Sequence, residues 1–198
     1  MKRAVEETTR LLMDGGVAVF PTDTVYGLGA GIFRPEAIRR IYTLKGRSHR
    51  KPLPLLVAHL KQAEALVEPL SRRLRRLLGD YWPGPLTVVF KTSPLGQWVT
   101  GGKDTVAIRV PKHPAALALL KAMRCPLAVT SANRSGKPPA VTGGEALRIF
   151  GGRVDALLDG GRCPEGEPST VLDAAHEPWT LVREGAVRKK ELLRYLVS

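Results

Sequence analysis

The 198-residue chain is 43% hydrophobic and 25% charged, which suits one globular α/β-sized domain over residues 1–198 and excludes disorder. No apolar run approaches the ~18 residues of a membrane span; Glu6, Glu7, Arg10 and Asp14 interrupt any leader-like segment, and Cys125 and Cys163 lie too far apart for a CxxC zinc motif, so the reading is a cytoplasmic protein. Lysine and arginine number 31 against 18 acids, a net charge of +13 that attracts phosphate, as nucleotide or nucleic acid, unless the arginines only solubilise the surface.

Helical spacing over 3–14, stopped by Gly15-Gly16, predicts a first helix, and Val17–Phe20 before Pro21 a buried strand. A helix from Pro35 presents Ile38, Ile41, Tyr42 and Leu44 on one face. Further helices are predicted at 61–67, 69–79, 114–124, 144–150 and 188–197. Strands are predicted at Leu53–Ala58, Leu86–Lys91, Thr105–Val110, Pro126–Thr130, Val154–Leu158, Ser169–Leu172 and Thr180–Arg183. Alternating strands and helices give an α/β fold, and the short late connections make its sheet mixed. Gly27-Leu28-Gly29-Ala30-Gly31 has the wrong spacing for a phosphate loop and reads as turns and tight packing.

Basic residues concentrate at 34–51 and 72–76. The second cluster sits on a helix with its own apolar stripe, Leu70, Leu74, Leu77 and Leu78, and reads as a solvated face. The first runs off a helix into a loop, where cations are well placed for a ligand.

Three segments carry chemistry. Thr22, Asp23 and Thr24 follow a strand and can orient a small polar substrate, or simply cap a turn. Lys45 and Arg47, two apart in an extended loop, would point the same way and grip one polyphosphate. Ser131 and Asn133 share that spacing and offer hydrogen bonds to phosphate or ribose oxygens, or cap a loop. Arg109 lies within an apolar strand, so it needs a carboxylate ligand or a buried acid. His113, before Pro114, reads as structural, and no histidine has metal-ligand spacing.

With PTDTVYGLGA (21–30), KGR (45–47), WPGPLTVVF (82–90), VAIRVPKHPAA (106–116), TSANRSGKPP (130–139), PSTVLD (168–173) and LVREGAV (181–187), the chain resembles the YrdC-like family of L-threonylcarbamoyladenylate synthases. The resemblance implies an open α/β fold whose twisted, largely mixed sheet surrounds a basic concave cavity. It implies a nucleotidyltransferase that joins L-threonine, bicarbonate and ATP into threonylcarbamoyl-AMP and pyrophosphate. The product would pass to a downstream threonylcarbamoyl transferase that modifies tRNA. Family contacts to threonine map to Thr24, Arg109 and Ser169. Those to ATP map to Arg47, Lys51, Thr105, Ser131 and Arg183, with Lys45 and Asn133 completing a catalytic tetrad of Lys45, Arg47, Ser131 and Asn133. Some members have Asn at the place of Lys51, His at that of Leu56 and Ser at that of Pro139. No acid in the motifs is a metal ligand, so Mg2+ is expected on the ATP phosphates. Longer members carry a C-terminal domain that helps to close the cavity; with Ser198 last, this chain is expected to close its site differently or leave it more open. The competing reading is an RNA-binding module, a tRNA or ribosome maturation factor with weak RNA affinity through the same basic cavity. The aromatic content of 6% supplies no stacking array for it.

Overall fold

Apolar residues at helical spacing bury Val5 and Leu12 in α1 (Lys2–Met13) and end at the glycine pair. The structure, a computed structural model, describes residues 1–196; position 197 of the predicted last helix lies outside them. The chain continues as β1 (Ala18–Phe20), β2 (Gly27–Gly31), α2 (Pro35–Lys45), β3 (Leu55–Leu56), α3 (Leu60–Glu64) and α4 (Arg72–Tyr81). There follow β4 (Leu86–Lys91), α5 (Pro94–Thr100), β5 (Thr105–Arg109), α6 (Pro114–Met123) and β6 (Leu127–Ser131). Last come α7 (Gly143–Phe150), β7 (Ala156–Leu157), β8 (Thr170–Asp173), β9 (Thr180–Arg183) and α8 (Lys189–Leu196).

Local chemistry sets these boundaries. Pro35 opens α2 and Gly46, at φ 61°, closes it in a left-handed cap. The Ser71 hydroxyl accepts from the Leu74 amide, so α4 starts at Arg72 rather than at 69. His113 Nδ1 accepts from the Ala115 amide at 3.2 Å, the structural role expected of it.

Two elements depart from the sequence reading. Residues 27–31 are a buried strand, not turns. A Cβ at Gly27 or Gly29 would lie 2.9 Å from a Val129 methyl, so the glycines admit neighbouring bulk into the sheet. The unexpected α5 is capped by Ser93, whose hydroxyl accepts from the Gly96 amide, with Pro94 in its first turn. The strand predicted over Leu53–Ala58 pairs only at Leu55 and Leu56.

The nine strands of the described residues form one mixed sheet in the order β7-β1-β2-β6-β3-β5-β4-β8-β9. β1/β7, β3/β5 and β4/β8 are parallel, and the other neighbours antiparallel. In the first half both faces are covered. Val19 and Leu28 pack with Ile41 of α2 and Phe150 of α7; Phe20 and Val129 pack with Leu12 of α1 and Leu119 of α6. In the second half, Leu86, Val88, Ile108 and Leu172 pack against Leu77 and Leu78 of α4 and Leu192 of α8. The opposite face of β5, β4, β8 and β9 belongs to none of these clusters and floors a cavity. No helix among the described residues is long and apolar enough to cross a membrane.

Candidate active site

The cavity encloses about 390 Å3. Strand alternation builds its floor: Leu86, Val88 and Ile108 point into the core, so Thr87, Ala107 and Arg109 point the other way. Thr22 and Thr24 come from the β1–β2 loop, Arg47 from the turn after α2, Ser131 from the end of β6, and Ser169 from the residue before β8. At β9 the pairing runs Val171 with Arg183, then Leu172 with Leu181. This bulge breaks the alternation and lets the consecutive Val182 and Arg183 both line the cavity.

Arg109 is only 5% exposed, and the acid required for it is Asp23, at 3%. The guanidinium donates through Nη2 to Asp23 Oδ1 at 2.5 Å, through Nη1 to Thr24 Oγ1 at 2.8 Å and through Nε to the Gly84 carbonyl at 2.9 Å. Asp23 Oδ1 also accepts from the Lys112 amide at 2.9 Å, while Oδ2 is buried without a partner. Burial depresses the Arg109 pKa and the Asp23 charge opposes that shift. Asp23 is thus a counter-ion behind the wall rather than a group that orients substrate directly.

Hydrogen bookkeeping fixes what the hydroxyls can do. The single Thr22 hydroxyl hydrogen goes to the Val25 carbonyl at 2.7 Å, so at the 3.0 Å Thr22–Thr24 contact Thr24 must donate. Thr24 also accepts from Arg109, which leaves it one lone pair. Ser169 lies 2.9 Å from the Thr87 hydroxyl, and its carbonyl accepts from Arg183 Nη2 at 2.6 Å and Nε at 3.2 Å. Burial and the neighbouring Arg47 both push the Arg183 pKa down, as expected where two guanidiniums face one space.

The tetrad divides. Lys45 is the last residue of α2, and the left-handed Gly46 separates it from Arg47, so the two do not extend side by side as expected. Lys45 is 4% exposed and absent from the cavity wall. Its Nζ donates to the Ser131 carbonyl at 2.5 Å, the Asn133 carbonyl at 2.8 Å and Asn133 Oδ1 at 2.9 Å. Three acceptors match three ammonium hydrogens, although burial and Arg47 push its pKa down to about 8. Asn133 is equally spent: Oδ1 also accepts from the Ser131 hydroxyl at 2.6 Å, and Nδ2 donates to the carbonyls of Arg134 and Lys137. Neither Lys45 nor Asn133 has a group left for polyphosphate. Together they knot α2 to the loop after β6.

Arg47 does line the cavity, held by Nε to the Lys51 carbonyl at 3.1 Å and Nη2 to the Pro52 carbonyl at 3.0 Å. Lys51 contributes that carbonyl; its side chain is exposed and off the wall. Thr105, two residues along β5 from Ala107, is off the wall as well. Sequence reasoning overlooked Thr87, although the polar residue in Leu86–Phe90 was a signal of a face turned from the core.

Arg47, Arg109 and Arg183 line the space without a carboxylate, and no metal-holding group of three His, Cys, Asp or Glu occurs among the described residues. The wall therefore fits anions and does not fit a protein-held divalent cation.

A family model described as Telomere recombination, Sua5/YciO/YrdC, matches residues 10–185. The chain belongs to this family. A threonylcarbamoyl-AMP synthase of Bacillus subtilis (strain 168) is 38% identical over 95% of this chain and 55% of its own length. One of Coxiella burnetii (strain RSA 493 / Nine Mile phase I) is 37% identical over 87% of this chain and 93% of its own. The crystal structure of Pyrococcus abyssi Sua5 complexed with L-threonine superimposes with a TM-score of 0.93 at 35% identity, covering all of this chain and 58% of that one. The chain thus spans about half the length of the Bacillus and Pyrococcus relatives. The single mixed-sheet architecture is that of the Sua5/YciO/YrdC structures.

Proposed function

We propose that this chain forms threonylcarbamoyl-AMP and pyrophosphate from L-threonine, bicarbonate and ATP, in the cytoplasm, for transfer to tRNA by a separate enzyme. The observation that carries this reading is a cavity lined by three arginines and several hydroxyls without a carboxylate. Relatives named for the same reaction support it.

In this reading Arg109 holds the threonine carboxylate with the guanidinium hydrogens that Asp23, Thr24 and Gly84 leave over. Thr24 accepts from the substrate hydroxyl or amine, and Ser169 lies beside it. The threonine amine takes up bicarbonate with loss of water, giving a carbamate. A carbamate oxygen then attacks the α-phosphorus of ATP, and the bond to the β-phosphate oxygen breaks to release pyrophosphate. Both partners are anions. Arg47 and Arg183, fixed beforehand by backbone carbonyls, offset their repulsion without reorganising. Ser131, its hydrogen committed to Asn133, accepts from ribose rather than donating to phosphate. ATP brings its own Mg2+, and the protein contributes position and charge.

The test is pyrophosphate release from ATP, with threonine and bicarbonate each omitted in turn. Release should require both, because the carbamate precedes adenylyl transfer. Release without threonine overturns the proposal, as does none with all three present.

A further inference from the structure

A second concavity, of about 350 Å3, lies where the chain leaves β3 for α3, against the end of α6. Its lining is Ala58, His59, Lys61, Gln62, Leu120, Lys121 and Arg124. None of these residues lines the cavity described above.

The side chains left over here are mainly donors, beside the free backbone carbonyls of the last turn of α6. Gln62 Oε1 is taken by the Ala58 amide at 2.9 Å, which leaves the NH2 of its side chain. His59 Nδ1 accepts from the Gln62 amide at 3.3 Å, so the proton of the neutral ring is on Nε2. Lys61, Lys121 and Arg124 take part in no ion pair among the described residues. In the first cavity the arginines are clasped by carbonyls; here the cations have no acceptor of their own. Arg124 further holds a left-handed backbone, φ 55°, the one positive φ among the described non-glycine residues. Glycine or asparagine would cap α6 there with less strain. The position carries a guanidinium at the expense of backbone comfort.

We propose that this concavity is a second anion site, and that it takes a compact polyphosphate of the pyrophosphate or triphosphate class. Three full positive charges with the side-chain N–H groups of Gln62 and His59 call for a ligand that carries several negative charges in a small volume. A lone carboxylate would leave most of the cations unmatched. An RNA strand would also need to seat its bases, and the apolar floor, Ala58 and Leu120, has no aromatic ring on which to stack them. The proposal does not depend on the reaction assigned to the first cavity.

The experiment titrates the full chain with tripolyphosphate at about 0.1 M salt, reading heats of binding and backbone amide shifts. The variants are Lys121→Gln combined with Arg124→Gly, and Lys61→Gln alone. Glycine suits the left-handed backbone, so the double variant should melt no lower than the parent. A control variant, Arg47→Ala with Arg183→Ala, disables the first cavity. In the parent, tripolyphosphate should shift amides at 58–62 and 120–124. Lys121→Gln/Arg124→Gly should weaken that binding at least about tenfold, the scale of a lost charge-assisted contact, and Lys61→Gln should weaken it in the same direction. The control should leave it within about twofold, since distant independent sites do not couple. Shifts confined to the first cavity, or unchanged affinity in both pocket variants, would overturn the site. So would a single-stranded RNA of about 12 nucleotides that shifts these amides where tripolyphosphate does not.

Discussion

The two halves of the sheet differ in one respect. Strands β1, β2 and β6 are covered on both faces, by α2 and α7 on one side and α1 and α6 on the other. Strands β5, β4, β8 and β9 are covered on one face only. Where both faces are buried, residues pointing either way are apolar: Val19 and Leu28 to one side, Phe20 and Val129 to the other. Where one face is open, alternate positions diverge, with Val88 and Ile108 inward and Thr87 and Arg109 outward. The site lies where helical cover stops and a sheet face becomes free to carry polar groups. The covered half supplies the rigidity, and the loops leaving it, which hold Thr24 and Arg47, border the cavity together with Ser131 at the end of β6.

The contrast is broken most directly by equal truncations in the two halves. Val19→Ala, in the doubly covered half, should cost about 2–3 kcal/mol of stability. Val171→Ala, on the half-buried floor, should cost about 1 kcal/mol. Urea melts of both variants check this, and similar costs would mean that the open face is as tightly packed as the closed one. The next effect separates the two cations flanking Gly46. Arg47→Ala should lower pyrophosphate release about 100-fold with the melting temperature nearly unchanged. Lys45→Ala should lower activity and also destabilise, by about 1–3 kcal/mol, because three oxygens each lose a charged hydrogen bond and the Asn133 carbonyl is left without a donor. Equal stability of the two variants would contradict the knot.

The smallest effect is in pH. With the Lys45 pKa at about 8, activity should fall as pH rises past that value, because a neutral amine has two hydrogens for three oxygens. The sign for stability is opposite. Between about 8 and the ordinary lysine value of 10.5, the unfolded chain holds a proton that the folded chain has released, so this group's contribution rises with pH. Lys45→Met should abolish the alkaline fall in activity; a profile identical to the parent's would assign that fall to another group.

Most helices and most strands were legible in the sequence, Leu86–Lys91 and Thr180–Arg183 to the residue, because periodicity and capping residues act locally. The β2 strand was not. Its glycines signal turns unless one knows that Val129 and Phe20 lean into the space they leave. α5 was readable from Ser93-Pro94, a cap followed by a proline, but it is only seven residues long. At the site, residue types were legible and hydrogen-bond directions were not. The need of Arg109 for a buried acid followed from burying a charge, yet the choice of Asp23 is set by long-range pairing. Lys45 and Arg47 looked equivalent because nothing local shows that Gly46 turns the chain between them. The bulge at Val182 has no sequence signature at all, since it is a matter of register.

The hydroxyls behind the first cavity form a chain with a direction. Val25 takes the hydrogen of Thr22, Thr22 takes that of Thr24, and Arg109 occupies one of the two lone pairs that Thr24 has left. A threonine, usually the most versatile of hydrogen-bonding partners, is thereby locked into a one-way role. Whatever rests against Thr24 must bring a hydrogen of its own, so an ether or a thioether at that spot meets lone pair against lone pair. Selectivity of this kind comes from three residues holding one proton still, with no change in the size or charge of the pocket.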